Sequence, residues 1–335
     1  MRCATNGPKI GVQPVKSSRK PHKGNSSLVD VQGGPDKNNP NLFPIGDGFG
    51  LFVFFGELVV SFVNMKGGVG KTTLAVNIAD FLTHRHSKKV LLVDVDPQFN
   101  ATQCMINGDD YVKYIKNGGT TIKDVFNYKN PASVSVVGGA VGKEPIPYSG
   151  IIPYKTTRGF DLIPSLLDLF RFEMAPGQGT ENKLKNYLNY VRKTGKYDIC
   201  IIDCPPTPSV WMTSALIASD FYLIPSKPDP ISMTGLDLLE GIIKERKENY
   251  GCSCRCAGLV LTIAETNTIV YKKAVDYFSG AANWKDYLYK TPVPKRVDIA
   301  RGQLAGTFIL DLDKTDLNLN FSSITQEFLR RVEGE

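Results

Sequence analysis

Histidine and tryptophan are scarce in this chain, with three and two copies among 335 residues. His22, His84 and His86 are too few, and too far from the cysteines, to complete a histidine-containing metal set. Long apolar runs are also missing. The longest, 42–63, is interrupted by Asp47, Glu57 and four glycines, whereas a membrane-spanning helix needs about 20 nearly uninterrupted apolar residues. Cysteine is present seven times, an odd number at irregular spacing, and no charged start leads into an apolar stretch and cleavage site. Together these exclude a disulfide-stapled secreted scaffold and point to a reducing cytosol. A large charge of one sign is absent too: the net charge is +7, from 40 basic and 33 acidic side chains. Residues 1–56 hold seven Lys/Arg against three Asp/Glu, so the remaining 279 residues carry only +3. That excess permits an anionic partner without demonstrating one.

What is there begins after the leader. Residues 1–56 are rich in Gly, Pro, Asn and Ser and show neither helical nor strand periodicity, so they are expected to be a disordered leader. The next methionine after Met1 is Met65, so an upstream start assignment is a second explanation of that leader. From 57 to 335 one domain is expected. Short, β-branched apolar runs at 58–64, 89–94, 160–163, 197–203, 221–224 and 257–263 alternate with helical patterns. Such runs read as an α/β fold with a mostly parallel central sheet covered by helices on both faces. In 72–82, Leu74, Ile78 and Leu82 recur on one helical face. The stretch near 107–158, with Gly118-Gly119, Gly138-Gly139 and several prolines, reads as a loop-rich insertion at one edge.

The run Lys66-Gly67-Gly68-Val69-Gly70-Lys71-Thr72-Thr73 lies between the first strand and this helix. A glycine-rich strand-to-helix turn lets backbone N–H groups surround a phosphate at the positive end of a helix dipole. Lys71 would neutralise the β- and γ-phosphates, and the Thr72 hydroxyl would reach Mg²⁺. Met65 stands at the first glycine position of the usual G-x-x-x-x-G-K-[ST] spacing and Lys66 follows it, so the loop is a variant with an added lysine. Asp203 ends an apolar strand, where a carboxylate can hold Mg²⁺ beside Thr72; the plainer alternative is a cap on the Pro205-Pro206 turn. Asp94 and Asp96 lie two apart on the same side of an extended segment.

KGGVGKTT, with Asn64 two residues before it, resembles the deviant Walker A loop of the ParA/MinD family of partitioning ATPases. Residues 93–102, VDVDPQFNAT, resemble its D-x-D-P-Q-G-N-A-T switch, with Phe99 where glycine is usual. FDLIPS at 160–165 and YDICIIDCPP at 197–206 resemble its L-x-L-I-P-S strand and Walker B strand, so the resemblance spans roughly 57–332. It implies a P-loop NTPase fold of the SIMIBI type, most like ParA and Soj, that binds ATP and Mg²⁺. It also implies a homodimer with ATP sandwiched at the interface, where Lys66 reaches the partner's nucleotide. By the same resemblance Asp96 orients the attacking water and Asp94 supports the Mg²⁺ shell. Hydrolysis would be slow, stimulated by a ParB-like adaptor, and used to segregate or position DNA. The adenine would lie beside 224–227, at Pro225, although Lys227 departs from the usual I-P-V-Q.

The same relatives bind DNA without sequence preference, and Lys272, Lys273, Lys295, Arg296 and Arg301 are the candidates here; a solvated face is the plainer reading. Ala264-Glu265-Thr266 and Asp298 occupy positions where a basic residue is often found. Cys252, Cys254 and Cys256 lack the second ligand pair of a zinc site and read as packed residues. Phe321, Ile324, Phe328 and Val332 share one face of a final helix better explained by core packing than by a membrane anchor, so no membrane anchor is expected. Three rivals remain: a MinD-like ATPase positioning cargo on a membrane or protein scaffold, a dimeric redox enzyme of the nitrogenase iron-protein type, and a non-hydrolysing binding module.

Overall fold

The computed structural model describes residues 42–45, 51–54, 57–127, 146–174, 177 and 179–334. Within the expected leader, β1 (Leu42–Ile45) and β2 (Leu51–Phe54) pair antiparallel. Both strands are alternately bulky apolar sequences, LFPI and LFVF, that can pair once a turn brings them together. The rest of 1–56 lies outside the described residues.

The main sheet has seven strands in the order β5 (Tyr154–Lys155), β6 (Asp161–Ile163), β4 (Val90–Asp94), β7 (Ile199–Asp203), β3 (Leu58–Phe62), β8 (Phe221–Ser226) and β9 (Arg255–Leu261). All neighbours are parallel except β5 against β6. The centre is dictated by side chains: LVVSF in β3, VLLVD in β4 and ICIID in β7 are buried at every position. Only strands covered on both faces can be apolar throughout.

Alternate residues feed two cores. Leu58, Val60 and Phe62 join Leu92, Ile199 and Ile201 under α1 (Lys71–His86) and α11 (Thr315–Glu333). Leu74, Ile78 and Leu82 of α1 lie in this layer, as their spacing predicts. Val59, Val93, Cys200 and Ile202 face the opposite layer, which includes α4 (Ile122–Asn127), α6 (Thr180–Thr194), α7 (Val210–Ala218), α8 (Pro230–Tyr250) and α9 (Ile269–Gly280). In α11, Phe321 packs on Phe81 with ring centroids 5.8 Å apart, and Phe328 packs on Phe62 at 6.4 Å. This helix face is therefore spent on the core. Among the described residues no helix is long and apolar enough to cross a membrane.

Among its described residues, the stretch expected to be loop-rich carries two α-helices and one 3-10 turn at Tyr148–Gly150. α3 (Gly108–Lys116) starts on Asn107, whose side chain accepts from the Asp110 N–H, and carries acids in its first turn and lysines in its last. Gly118, at φ +80, ends it, and a Cβ on Gly119 would strike the Tyr114 ring at 2.5 Å. The glycine pair thus terminates a helix here, and α4 follows almost at once. Residues 128–145 of that stretch lie outside the described residues. It leads to β5, at the sheet edge.

Candidate nucleotide site

Parallel strands deliver their C-terminal ends to one side of the sheet, and the loops after β3, β4, β7 and β9 meet there. The loop after β3 turns at Gly68, φ +64, and Gly70, φ +79, conformations that an L-residue adopts only with strain. Gly70 is also the N-cap of α1, and a Cβ there would lie 3.7 Å from the Thr262 side chain. Thr262 Oγ1 donates to the Val69 carbonyl at 2.6 Å, tying the loop to the end of β9. Asn64 closes it from below: Nδ2 donates to the Pro225 carbonyl at 2.7 Å, and Oδ1 accepts from the Lys66 N–H at 2.9 Å.

The loop and α1 form one wall of a cavity of about 610 Å³. Gly67, Gly68, Val69, Gly70, Lys71, Thr72 and Thr73 line it, with Asp96, Gln98 and Asn100 at one side. Lys71 is only 7% exposed and donates to the carbonyls of Asn64 at 3.0 Å and Lys66 at 3.4 Å. Burial lowers its pKa, and the nearby Asp203, Cys204 and Asp96 oppose that shift. Asp96 contributes its carboxyl directly, with Oδ1 accepting from the Gln98 N–H at 2.9 Å. Burial raises its pKa, while that hydrogen bond and Lys71 pull it down.

Thr72 Oγ1 donates to Asp203 Oδ2 at 2.7 Å, and Asp203 Oδ1 is buried with no hydrogen-bond partner among the described residues. Burial pushes the Asp203 carboxyl up to about 7, with the Thr72 hydrogen bond opposing and Asp96 adding to the rise. A buried carboxylate oxygen without a donor, beside a threonine hydroxyl, is a fitting oxygen pair for Mg²⁺. Asp94 differs. Its Oδ2 accepts from the Thr102 N–H and Oγ1, both at 2.8 Å, and its Oδ1 accepts from the Asp96 N–H at 3.1 Å. Both Asp94 oxygens thus hold the switch segment, and Asp94, like Asp203, is fully buried behind the cavity lining.

Pro225 lies within β8, fully inside the sheet, and does not line the cavity. The opposite wall is instead Val293, Pro294, Val297, Ile299 and Ala300, with Lys295 and Arg296 at the same place. Those two cations are paired: Lys295 Nζ lies 2.5 Å from Glu265 Oε1, and Arg296 lies 3.0 Å from Asp316 Oδ2. Lys272 and Lys273 are exposed on α9, and Arg301 is exposed on α10 (Val297–Leu304). Lys66 does not enter the cavity. Its Nζ reaches both Asp229 oxygens at 2.9 Å and Ser232 Oγ at 3.0 Å.

Sequence reasoning missed Asp229, although Asp229-Pro230 with Ser232 is a readable helix start: Asp229 accepts from the Ser232 N–H at the α8 N-terminus. It also missed Gln303, which accepts from Thr73 Oγ1 across the cavity floor and has no local signal. Among the described residues no group of three metal-ligating side chains gathers around Cys252, Cys254 and Cys256.

A parallel sheet with a glycine-rich loop at its central strand, Lys-Thr at the head of the next helix and a strand-end aspartate facing it define a P-loop NTPase. Known proteins narrow the class. A family described as an AAA domain matches residues 57–253. The sporulation initiation inhibitor protein Soj of Bacillus subtilis is 29% identical over 262 residues, covering 76% of this chain and 91% of Soj. The chromosome partitioning protein ParA of Caulobacter vibrioides is 30% identical over 258 residues, covering 76% of this chain and 87% of ParA. A solved structure of a putative plasmid partition protein from Borrelia burgdorferi, bound to AMPPNP, has the same fold. Its TM-score is 0.63 over 82% of this chain and 100% of that one, at 24% identity. The chain belongs to the ParA-type family of partitioning ATPases.

Proposed function

We propose that this protein is a cytoplasmic, Mg²⁺-dependent ATPase that dimerises around ATP and segregates or positions DNA, under stimulation by an adaptor of the ParB kind. The observation that carries this reading is the convergence of Lys71, Thr72 and Asp96 on one cavity, with Asp203 buried behind Thr72 and one of its oxygens unpartnered among the described residues. The Soj and ParA likeness supplies the biological context.

In this reading the loop N–H groups and Lys71 hold the phosphates, and the base rests on the apolar wall at Val293, Pro294 and Ile299. Thr72 and Asp203 would hold Mg²⁺, which would supply neutralising charge to the phosphate oxygens. Asp96, braced through Asp94 and the Ser165 hydroxyl that donates to the Asp96 carbonyl at 2.7 Å, orients the attacking water. A loose transition state needs positioning and charge more than a strong base, so these groups suffice. Lys66 acts on the partner's nucleotide only after leaving Asp229. Of the DNA candidates, Lys272, Lys273 and Arg301 keep that role, because Lys295 and Arg296 stand at the nucleotide wall.

The test is phosphate release from ATP with Mg²⁺, together with retention on DNA of unrelated sequences. Hydrolysis and ATP-dependent DNA retention that falls steeply with added salt are expected. Nucleotide turnover with no DNA retention would move the function to another cargo, and absence of nucleotide binding would refute the reading.

A further inference from the structure

Around the phosphate loop stand three lysine ammonium groups, and among the described residues two of them have oxygen partners. Lys71 is met by two backbone carbonyls, and Lys66 by Asp229 and Ser232. The third belongs to Lys227. A Cβ built on Gly68, at the crest of the loop, would lie 4.0 Å from Lys227 Nζ, the only atom that close. Lys227 is half-buried, and among the described residues its ammonium makes no hydrogen bond or ion pair. The nearest carboxylate along the chain, Asp229, is already occupied by Lys66.

This position is held by backbone and not by chance side-chain contact. Ser226, the residue before it, closes β8 in register with Leu261, and its carbonyl accepts from the Thr262 N–H at 2.8 Å. The Lys227 carbonyl accepts from the Asp229 N–H at 2.9 Å. Thr262 in turn fixes the loop through Val69, so the base of Lys227 and the loop crest share one support. Of the three cations only Lys227 has no carboxylate against it among the described residues, and an anion placed at the loop crest would supply one. The loop's own N–H groups attract the same kind of ligand.

We propose that Lys227 is a further phosphate-binding cation, supplied by the same chain that holds the nucleotide and directed at the terminal phosphate. This rests on the nucleotide reading above and adds a consequence. A cation at the crest gives the single chain a preference for a nucleoside triphosphate over the diphosphate before any partner arrives, since the extra phosphate charge is what it meets.

The test compares Mg²⁺-dependent binding of fluorescent AMPPNP and fluorescent ADP by the full chain and by Lys227→Gln, Lys227→Ser and Lys227→Arg. The neutral variants should lose about tenfold in AMPPNP affinity and less than about threefold in ADP affinity, while Lys227→Arg stays within about threefold of the parent for both. The parent's AMPPNP affinity should also fall more steeply with salt than that of either neutral variant. Equal losses for the two nucleotides, or unchanged AMPPNP affinity in a neutral variant with the parent's unfolding temperature, would overturn the proposal. So would failure of both neutral variants to fold, which would make Lys227 a structural residue. A parent chain that binds neither nucleotide would refute the site reading itself.

Discussion

Lys66 and Lys71 belong to one loop, five positions apart, and have opposite circumstances. Lys71 is buried, and its hydrogen bonds go to carbonyls of its own loop, so it stands at the cavity before a nucleotide arrives. Lys66 has about a third of its side chain exposed and is bound to a carboxylate on another element, α8. One lysine is built into the site, and the other is held away from it. A site complete in phosphate binding but lacking its second lysine suits a protein whose chemistry waits for a second chain.

The comparison breaks most visibly at Lys71. Lys71→Ala should weaken ATP binding by at least about 100-fold, roughly 3 kcal/mol, in a direct titration with the isolated chain. Retained binding would deny the loop its phosphate role. A smaller effect is expected at the Lys66 anchor. Asp229→Asn keeps the α8 cap but removes the charge, and a half-exposed ion pair is worth under about 1 kcal/mol, so ATP-dependent self-association should tighten about two- to fivefold. Sedimentation in ATP reads this directly; weaker association would show that Asp229 helps the dimer.

The smallest effect lies away from the loop, at Glu57. Burial pushes its carboxyl up to about 8 from 4.5, with Arg192 opposing and Asp220 adding to the rise, and neither carboxyl oxygen has a partner among the described residues. The native state therefore keeps a proton that the unfolded chain releases, and stability from this group falls as pH rises from about 4.5 toward 8. Glu57→Gln should gain roughly 1 kcal/mol over the parent at pH 8, about 3 °C in thermal unfolding, and lose that advantage by pH 5. A difference that does not change with pH would contradict the assignment.

The parallel core was readable because both-face burial leaves an unmistakable apolar run, as in β3 and β7. The loop was readable because glycine, lysine and threonine at fixed offsets serve one purpose. Other features depend on contacts far apart in sequence. The cavity wall at 293–300 is placed by a parallel bridge between Ala264 and Pro294, with the Ala264 N–H donating to the Val293 carbonyl at 2.9 Å. Nothing local in Lys295-Arg296 reveals that, so local charge and family resemblance together point to a DNA surface. Pro225 was assigned beside the base by likeness, yet β8 carries it into the sheet under Asn64. In α3 the Gly118-Gly119 pair outweighed a nine-residue helix whose capping residue and charge order were both present.

In the proposed mechanism each catalytic centre combines Asp96 from one chain with Lys66 from its partner. Complementation tests it directly. Lys66→Ala and Asp96→Ala should each be nearly inactive in steady-state ATP hydrolysis, and mixing them should restore activity. One of the two sites in a mixed dimer then has an intact Asp96 and receives an intact Lys66. A mixture no more active than its two components would contradict the cross-chain assignment and place the chemistry within a single chain.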